Sequence, residues 1–246
     1  MTAQAAHNRS SLGMGVLTLI VLAVLIALGI WQLQRRVEKH VLIAALTERL
    51  NAAPVPLPST DQWSALNPDH DEFRRVTVTA AFRDAPEARV YTSGSALRRD
   101  VATLGNFVFA PAGLSDGTTI VVDRGFVPDG ANAGGAPHQP LALIGYLRFP
   151  EKPGWITPAP DLNKRVWYER DHLDMARVLS WGQVAPFYID LESPTPASGL
   201  PKPGPLEVHL RDEHLQYAIT WFALAAAVAI AFAIWLRGRT RADAAS

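Results

Sequence analysis

Two stretches of the chain carry no charged residue, Ser10 to Gln34 and Leu215 to Leu236. A helix rises about 1.5 Å per residue, so roughly 20 apolar residues cross a hydrocarbon core of about 30 Å. Each stretch therefore predicts a membrane-spanning helix, drawn over 12–34 and 214–236. The first is too long for the apolar core of a cleaved signal peptide, and no small-x-small cleavage site follows it. It ends in LGIWQLQRRVEKH, with Trp31 at interface depth and Arg35, Arg36 and Lys39 beyond, which reads as a retained anchor. Apolar residues then recur at Val37, Val41, Leu42, Ala45, Leu46 and Leu50, a helical period that continues the span outward. The stretch PVPLP at 54–58 ends that helix.

From there the period changes to two. Val76, Val78 and Ala80 alternate with Thr77 and Thr79 in FRRVTVTAAF. Further strand candidates are ARVYTS, NFVFAP, TTIVVDRGFVP, LALIGYLRFP, KRVWYER, APFYIDLE and LEVHL. One helix stands out at 172–181, with Asp171 as its N-cap and Asp174 three residues on. The pattern predicts a membrane protein of two transmembrane α-helices flanking a β-rich domain at 35–213, an antiparallel barrel or sandwich with one or two helices. Residues 1–11 and 237–246 are left as short tails. Proline-rich linkers run over 151–160 and 194–205, and the second reads as a stiff extended spacer before the last span.

Composition sharpens this picture. The 246 residues balance 23 basic against 23 acidic side chains. The zero net charge, with no basic stripe, argues against a nucleic-acid partner. There is no cysteine, hence no disulfide framework, no CxxC pair and no thiolate metal site. Arg237, Arg239 and Arg241 sit directly at the end of the second span, with Arg9 before the first. Arg35, Arg36, Lys39 and Arg211 oppose them from the middle domain. Long loops cross a membrane largely regardless of charge, so the balance favours cytoplasmic termini and an exported, periplasmic middle. The second span is rich in alanine, with Ala223, Ala227 and Ala231 and likewise Ala225, Ala229 and Ala233 at intervals of four. Such spacing suits close helix packing on the first span or a partner; an alanine-rich composition alone explains it equally well.

No catalytic signature appears: no GxSxG, HExxH, P-loop or GxGxxG. The tract Asp69, His70, Asp71, Glu72 reads as a solvated loop rather than a metal site. His172 belongs to a helix start and His138 to a loop. His214 is different. It is the last polar residue before the second span, and on a helix it shares a face with Tyr217, Ala218, Trp221 and Ala225. An imidazole above an aromatic and alanine-lined face has the parts of a haem site. Interfacial snorkelling with a Tyr/Trp belt accounts for the same residues.

Four blocks carry a resemblance to a known family. LGIWQLQRRVEK, FRRVTVTAAF, VVDRGFVP and HLQYAITWFALA resemble, in order, the surfeit locus protein one family, membrane assembly factors of cytochrome c oxidase. The two-span layout matches as well. The chain departs in having Asp123, Phe126 and Glu213 where the family often has Asn, Trp and Asn. The resemblance implies assembly of a haem–copper terminal oxidase in the bacterial cell membrane, without enzymatic chemistry of its own. It implies haem a as cofactor, cytochrome c oxidase subunit I and haem a synthase as partners, and His214 as the iron ligand. Arg35 and Arg36 would pair with haem propionates or anchor the interface, and Trp31, Gln32, Tyr217 and Trp221 would line the pocket. Copper delivery typically uses cysteine pairs, so the absence of cysteine favours the haem branch. The competing readings are a scaffold that stabilises an oxidase intermediate without ligating haem, and a membrane-anchored sensor or enzyme.

Overall fold

The computed structural model describes residues 2–207 and 213–245. It divides into two units, Met1–Ala44 with Leu210–Ser246, and Ala45–His209. Val208, His209, Leu210 and Arg211, part of the last strand candidate and of the charge balance, lie outside the described residues, as do the side chains of Arg9 and Arg241.

The first unit is a helix pair. Helix α1 spans Thr2–Asn51 and α4 spans His214–Ala245. The segments Gly13–Asn51 and His214–Arg239 are each long and apolar enough to cross a membrane. As the 37–50 periodicity predicts, α1 runs on without a break and stops ahead of Pro54. The less exposed positions of α1 include Gly15, Thr18, Leu22, Leu25, Gly29, Gln32 and Arg36; those of α4 include His214, Ala218, Trp221, Ala225, Val228, Phe232 and Trp235. Steps alternating between three and four residues form the seam of a two-helix coiled coil. A Cβ on Gly15 would touch Phe232, and one on Gly29 would strike Phe222, so the helices run antiparallel. The alanine stripes do not make this seam. Only Ala225 is buried; Ala223, Ala227, Ala229, Ala231 and Ala233 face outward. Bulky Trp221, Phe232 and Trp235 alternating with Ala218 and Ala225 fill the contact instead.

The second unit is built on a closed barrel. Strand β2 (Arg75–Phe82) pairs antiparallel with β6 (Leu141–Arg148), and β6 pairs antiparallel with β8 (Tyr188–Ser193). Strand β8 lies parallel to β5 (Thr119–Pro128), which pairs antiparallel with β4 (Gly105–Gly113). β4 returns to β2 through Ala81–Gly113 and Phe82–Ala112, closing the ring. Closure removes the exposed edges that a sandwich would keep, so the barrel alternative holds. Short β1 (Val55–Pro56), β3 (Ala88–Thr92) and β7 (Val166–Trp167) extend the sheet outside the ring, with helices α2 (Pro68–Asp71) and α3 (His172–Val178). The candidate KRVWYER contributes only the two residues of β7.

Alternation decides which side chains fill the barrel. Val76, Ala80, Ile120, Val122, Leu143, Leu147, Ile189 and Leu191 point in. Their neighbours Val121, Tyr188, Phe107 and Phe109 point out, into a second core covered by β3 and α3. Trp63 plugs the barrel, its ring 5.2 Å from Phe187. Asp171 caps α3 as the sequence predicts, accepting from the N–H groups of Leu173 and Asp174.

The second proline-rich linker, expected as a stiff extended spacer, is extended but packs on the barrel. Lys202 exchanges two backbone hydrogen bonds with Phe126 at 2.8 and 3.0 Å, and Pro201, Pro203 and Gly204 are buried. It is a strap across β5. The crossing depends on Gly125, whose φ is +116° and whose Cβ would lie 2.3 Å from the Lys202 backbone. Gly125→Ala is expected to lower stability by about 2 kcal/mol or more, from left-handed strain plus the clash. A thermal melt of the full chain checks this.

His172 is a core residue. It is fully buried, donates from Nε2 to the Ala185 carbonyl at 3.0 Å and packs 5.4 Å from Tyr188. Burial pushes its pKa down to about 4. Between pH 6.5 and 4 the unfolded chain then binds a proton that the folded chain refuses, so stability falls as pH drops through that window. His172→Gln is expected to remove this slope. Melts of the two proteins at pH 7 and pH 4.5 check it.

Candidate cofactor site in the helix pair

Gln32 and His214 meet across the seam, with His214 Nδ1 2.7 Å from Gln32 Oε1. An amide oxygen only accepts, so Nδ1 carries the proton and donates it. In a neutral ring that bond places the proton on Nδ1, which makes Nε2 the nitrogen suited to ligate a metal. Both side chains are half-buried. Arg36 lies one turn beyond Gln32 on the same stripe of α1, also half-buried, and Trp221 sits on the α4 stripe between Ala218 and Ala225.

The seam thus brings Gln32 and His214 together, while Arg36 and Trp221 lie on the same two stripes, one turn from Gln32 and two turns from His214. It does not gather the other residues expected there. Trp31 is 48% exposed and Tyr217 51% exposed. Arg35 turns outward with them, 5.8 Å from the Trp31 ring and 2.8 Å from Glu38. An exposed ion pair of this kind contributes little stability. The α4 stripe steps from 214 to 218 to 221, which leaves Tyr217 at its outer edge.

The arrangement also limits where a macrocycle fits. Ala218 and Ala225 are buried against α1, so the space their small side chains leave is already filled. At Gly29 the helices come so close that a Cβ would lie 2.5 Å from the Phe222 ring. A flat ring does not fit between the helices there. A concave stretch of about 490 Å³ does lie along α1, against Leu33, Arg36, Val37, His40, Val41 and Ala44. It has apolar walls, a guanidinium and a second imidazole. The sequence reading missed His40, although its flanking Val37 and Val41 were visible as one helical stripe.

Among the described residues no three His, Asp or Glu side chains cluster as for a bare metal ion. The acidic tract at 69–72 has structural roles. Asp71 accepts from the Asn67 N–H at 3.0 Å, and Glu72 is no solvated loop residue: it binds Arg148 Nε and accepts from the Phe149 N–H at 3.0 Å. His138 lies 3.2 Å from the Phe82 carbonyl, a loop contact.

Comparison with known proteins bears directly on this unit. The SURF1 family model matches residues 19–226, from within the first apolar helix to within the second. The chain belongs to the SURF1 family. It is 35% identical to Surfeit locus protein 1 of Mus musculus over 224 residues, covering 85% of this chain and 71% of that protein. It is 32% identical to a SURF1-like protein of Monosiga brevicollis over 247 residues, with coverage of 94% and 90%. A SURF1-like protein of the bacterium Rickettsia bellii is 28% identical over 228 residues, 89% of either chain. SURF1 membership makes this chain a cytochrome oxidase assembly factor. The SURF1 match takes in both Gln32 and His214, and both sides of the Gly29 contact.

That contact generates a test. Gly29→Val is expected to force Phe222 aside and cost about 1–3 kcal/mol of stability in detergent. Adding Phe222→Ala should recover most of the loss. A double-mutant cycle of melting temperatures decides; equal losses with and without Phe222 would contradict close packing at this position.

Proposed function

We propose that this assembly factor binds haem a at the helix pair, through His214 Nε2, and aids its placement in subunit I of the oxidase. The observation that carries the reading is the Gln32–His214 hydrogen bond, which presets a ligand tautomer where an apolar helix begins. Arg36 lies on both the Gln32 stripe and the concave stretch of α1, and its guanidinium suits a propionate. Leu33, Val37 and Val41 offer the apolar wall that a porphyrin face and an isoprenoid tail require. The bound group is cargo here, and the chain's task is to hold it, orient it and release it. A single imidazole with a neutral amide behind it suits release better than a ligand backed by a carboxylate, which would be more basic. In this reading the termini face the cytoplasm, the barrel unit lies on the outer side of the bacterial cell membrane, and haem a synthase supplies the cargo.

The tight packing at Gly29 favours a second reading, in which the helix pair is a scaffold for an oxidase intermediate and carries no haem. Purification of the full chain from a haem-a-producing host separates the two. The haem reading expects a haem a spectrum in the wild type, and loss or a changed axial signature in His214→Ala. Identical haem content and spectra in both proteins would contradict it.

A further inference from the structure

The outer face of the barrel carries a layer of ionisable side chains that the helix-pair reading does not use. Arg148 on β6, Tyr188 and Asp190 on β8 and Asp123 on β5 are each 5% exposed or less. Asp123 and Asp190 are register partners on the parallel pair β5–β8, so both carboxyls leave the sheet on the same side. Arg148 is the hub. It binds Glu72 through Nε, and contacts Glu151 through Nη2 and Asp190 through Nη1, each at 3.5 Å. Its guanidinium also lies 4.6 Å from the Phe73 ring.

This layer is not fully satisfied. Arg148 Nη1, Tyr188 Oη, Asp190 Oδ2, Asp123 Oδ2 and Arg98 Nη1 are buried without a hydrogen bond among the described residues. More than about 90% of buried polar groups in folded proteins find partners. Here Arg148 Nη1 and Asp190 Oδ2 have only their 3.5 Å ion pair, and Tyr188 Oη and Asp123 Oδ2 accept or donate no hydrogen bond among the described residues. A cavity of about 270 Å³ opens beside it, lined by Arg148, Arg170, Glu151, Phe107, Tyr91 and Tyr168 among others. Arg170 is held there from behind: its N–H donates to Glu151 at 3.3 Å and its guanidinium stacks 4.3 Å from Phe107. That guanidinium makes no hydrogen bond or ion pair with a described residue.

What leaves room for an anion is donor geometry at Arg170 rather than a surplus of positive charge. Glu72 and Glu151 are engaged with Arg148 and with the Phe149 and Arg170 N–H groups. Burial, and then repulsion by Asp190, push the Asp123 pKa up, which lessens the negative charge of the layer. The Arg170 guanidinium, with Arg148 Nη1 held only by a 3.5 Å ion pair to Asp190, thus faces a space walled by three aromatic rings.

We propose that this cavity is a binding site for a small oxyanion, a carboxylate or phosphate on a compact body, gripped by Arg170 and Arg148 and stacked among Phe107, Tyr91 and Tyr168. A guanidinium fork matches either oxyanion with two parallel hydrogen bonds. The cavity is near the lower end of small-ligand sites, which fits a body no larger than one ring. Ligation of this kind would give hydrogen-bond partners to Arg148 Nη1 and to the Arg170 guanidinium, both of which line the cavity. The site lies wholly in the second unit and does not rest on the haem reading.

The test uses the full chain in detergent, with benzoate and inorganic phosphate as probes and sodium chloride at matched ionic strength as control. The proposal expects at least one probe to raise the melting temperature saturably and to give a calorimetric isotherm. Arg170→Gln should weaken that binding at least tenfold, whereas Arg165→Gln, on an exposed arginine, should leave it unchanged. Tyr168→Ser, on a wall that is 39% exposed and tolerant of change, separates the sources of the oxyanion. It should weaken benzoate more than phosphate if a ring is stacked, and both equally if only the oxyanion is read. If neither probe stabilises the wild type beyond chloride, or if Arg170→Gln binds as the wild type does, the proposal is overturned.

Discussion

The structure of the first unit depends on the close approach of α1 and α4. Inside a hydrocarbon layer, apolar residues gain nothing by leaving lipid for another helix, so association rests on packing and on polar bonds between helices. This pair has both. Gly29 lets the Phe222 ring come within what would be Cβ distance, and Gln32 bonds His214 one turn away. Once that contact is set, the alternating steps of three and four residues decide everything else about the pair. Arg36 and Trp221 turn in; Trp31, Arg35 and Tyr217 turn out. The same contact that orients His214 also closes the space between the helices, so any large cargo must lie along their flank.

The second unit solves a different problem. A five-stranded ring has a small interior, and here buried apolar side chains line it. Its outer face is then covered piece by piece: α3 and β3 over the aromatic side of β4 and β5, and the strap 201–204 over Gly125. Where Arg148, Asp190 and Asp123 emerge, the cover is made of charge rather than hydrocarbon. Buried charge of this kind is costly unless paired; Arg148 has three carboxylate partners, whereas the Arg170 guanidinium has none within ion-pair distance among the described residues. Both units thus hold polar groups poised at sheltered positions on a rigid frame, an imidazole in one and guanidiniums in the other.

Much of this architecture was legible in the sequence, for physical reasons. Uncharged runs longer than a bilayer leave few alternatives, and the stripe from Val37 to Leu50 marked the helix that continues α1. Period-two alternation located the barrel strands, because each has one face in an apolar core. Asp171 announced the start of α3. Other features depend on tertiary partners that the sequence does not display. Alanines every four residues suggested the α4 interface, yet the large residues between them make it. Tyr217 shares a helical face with His214 in principle, but the seam steps past it. The prolines of 194–205 read as a stiff extended spacer because the backbone bonds between Lys202 and Phe126, which make the segment part of the barrel unit, join residues far apart in the chain. Glu72 looked solvated until Arg148, on a strand long after it in sequence, reached it. The Gln32 partner of His214 was visible as a pocket residue, though not as the acceptor that sets its tautomer.

The central claim is that His214 Nε2 is the donor atom of the helix pair. Pulsed electron paramagnetic resonance on the oxidised full chain, loaded with haem a and carrying ¹⁵N-labelled histidine, tests it most directly. The account predicts a strong ¹⁵N hyperfine coupling from an axial imidazole in the wild type that disappears in His214→Ala. An unchanged coupling in that variant, or none in the wild type with haem bound, would contradict it.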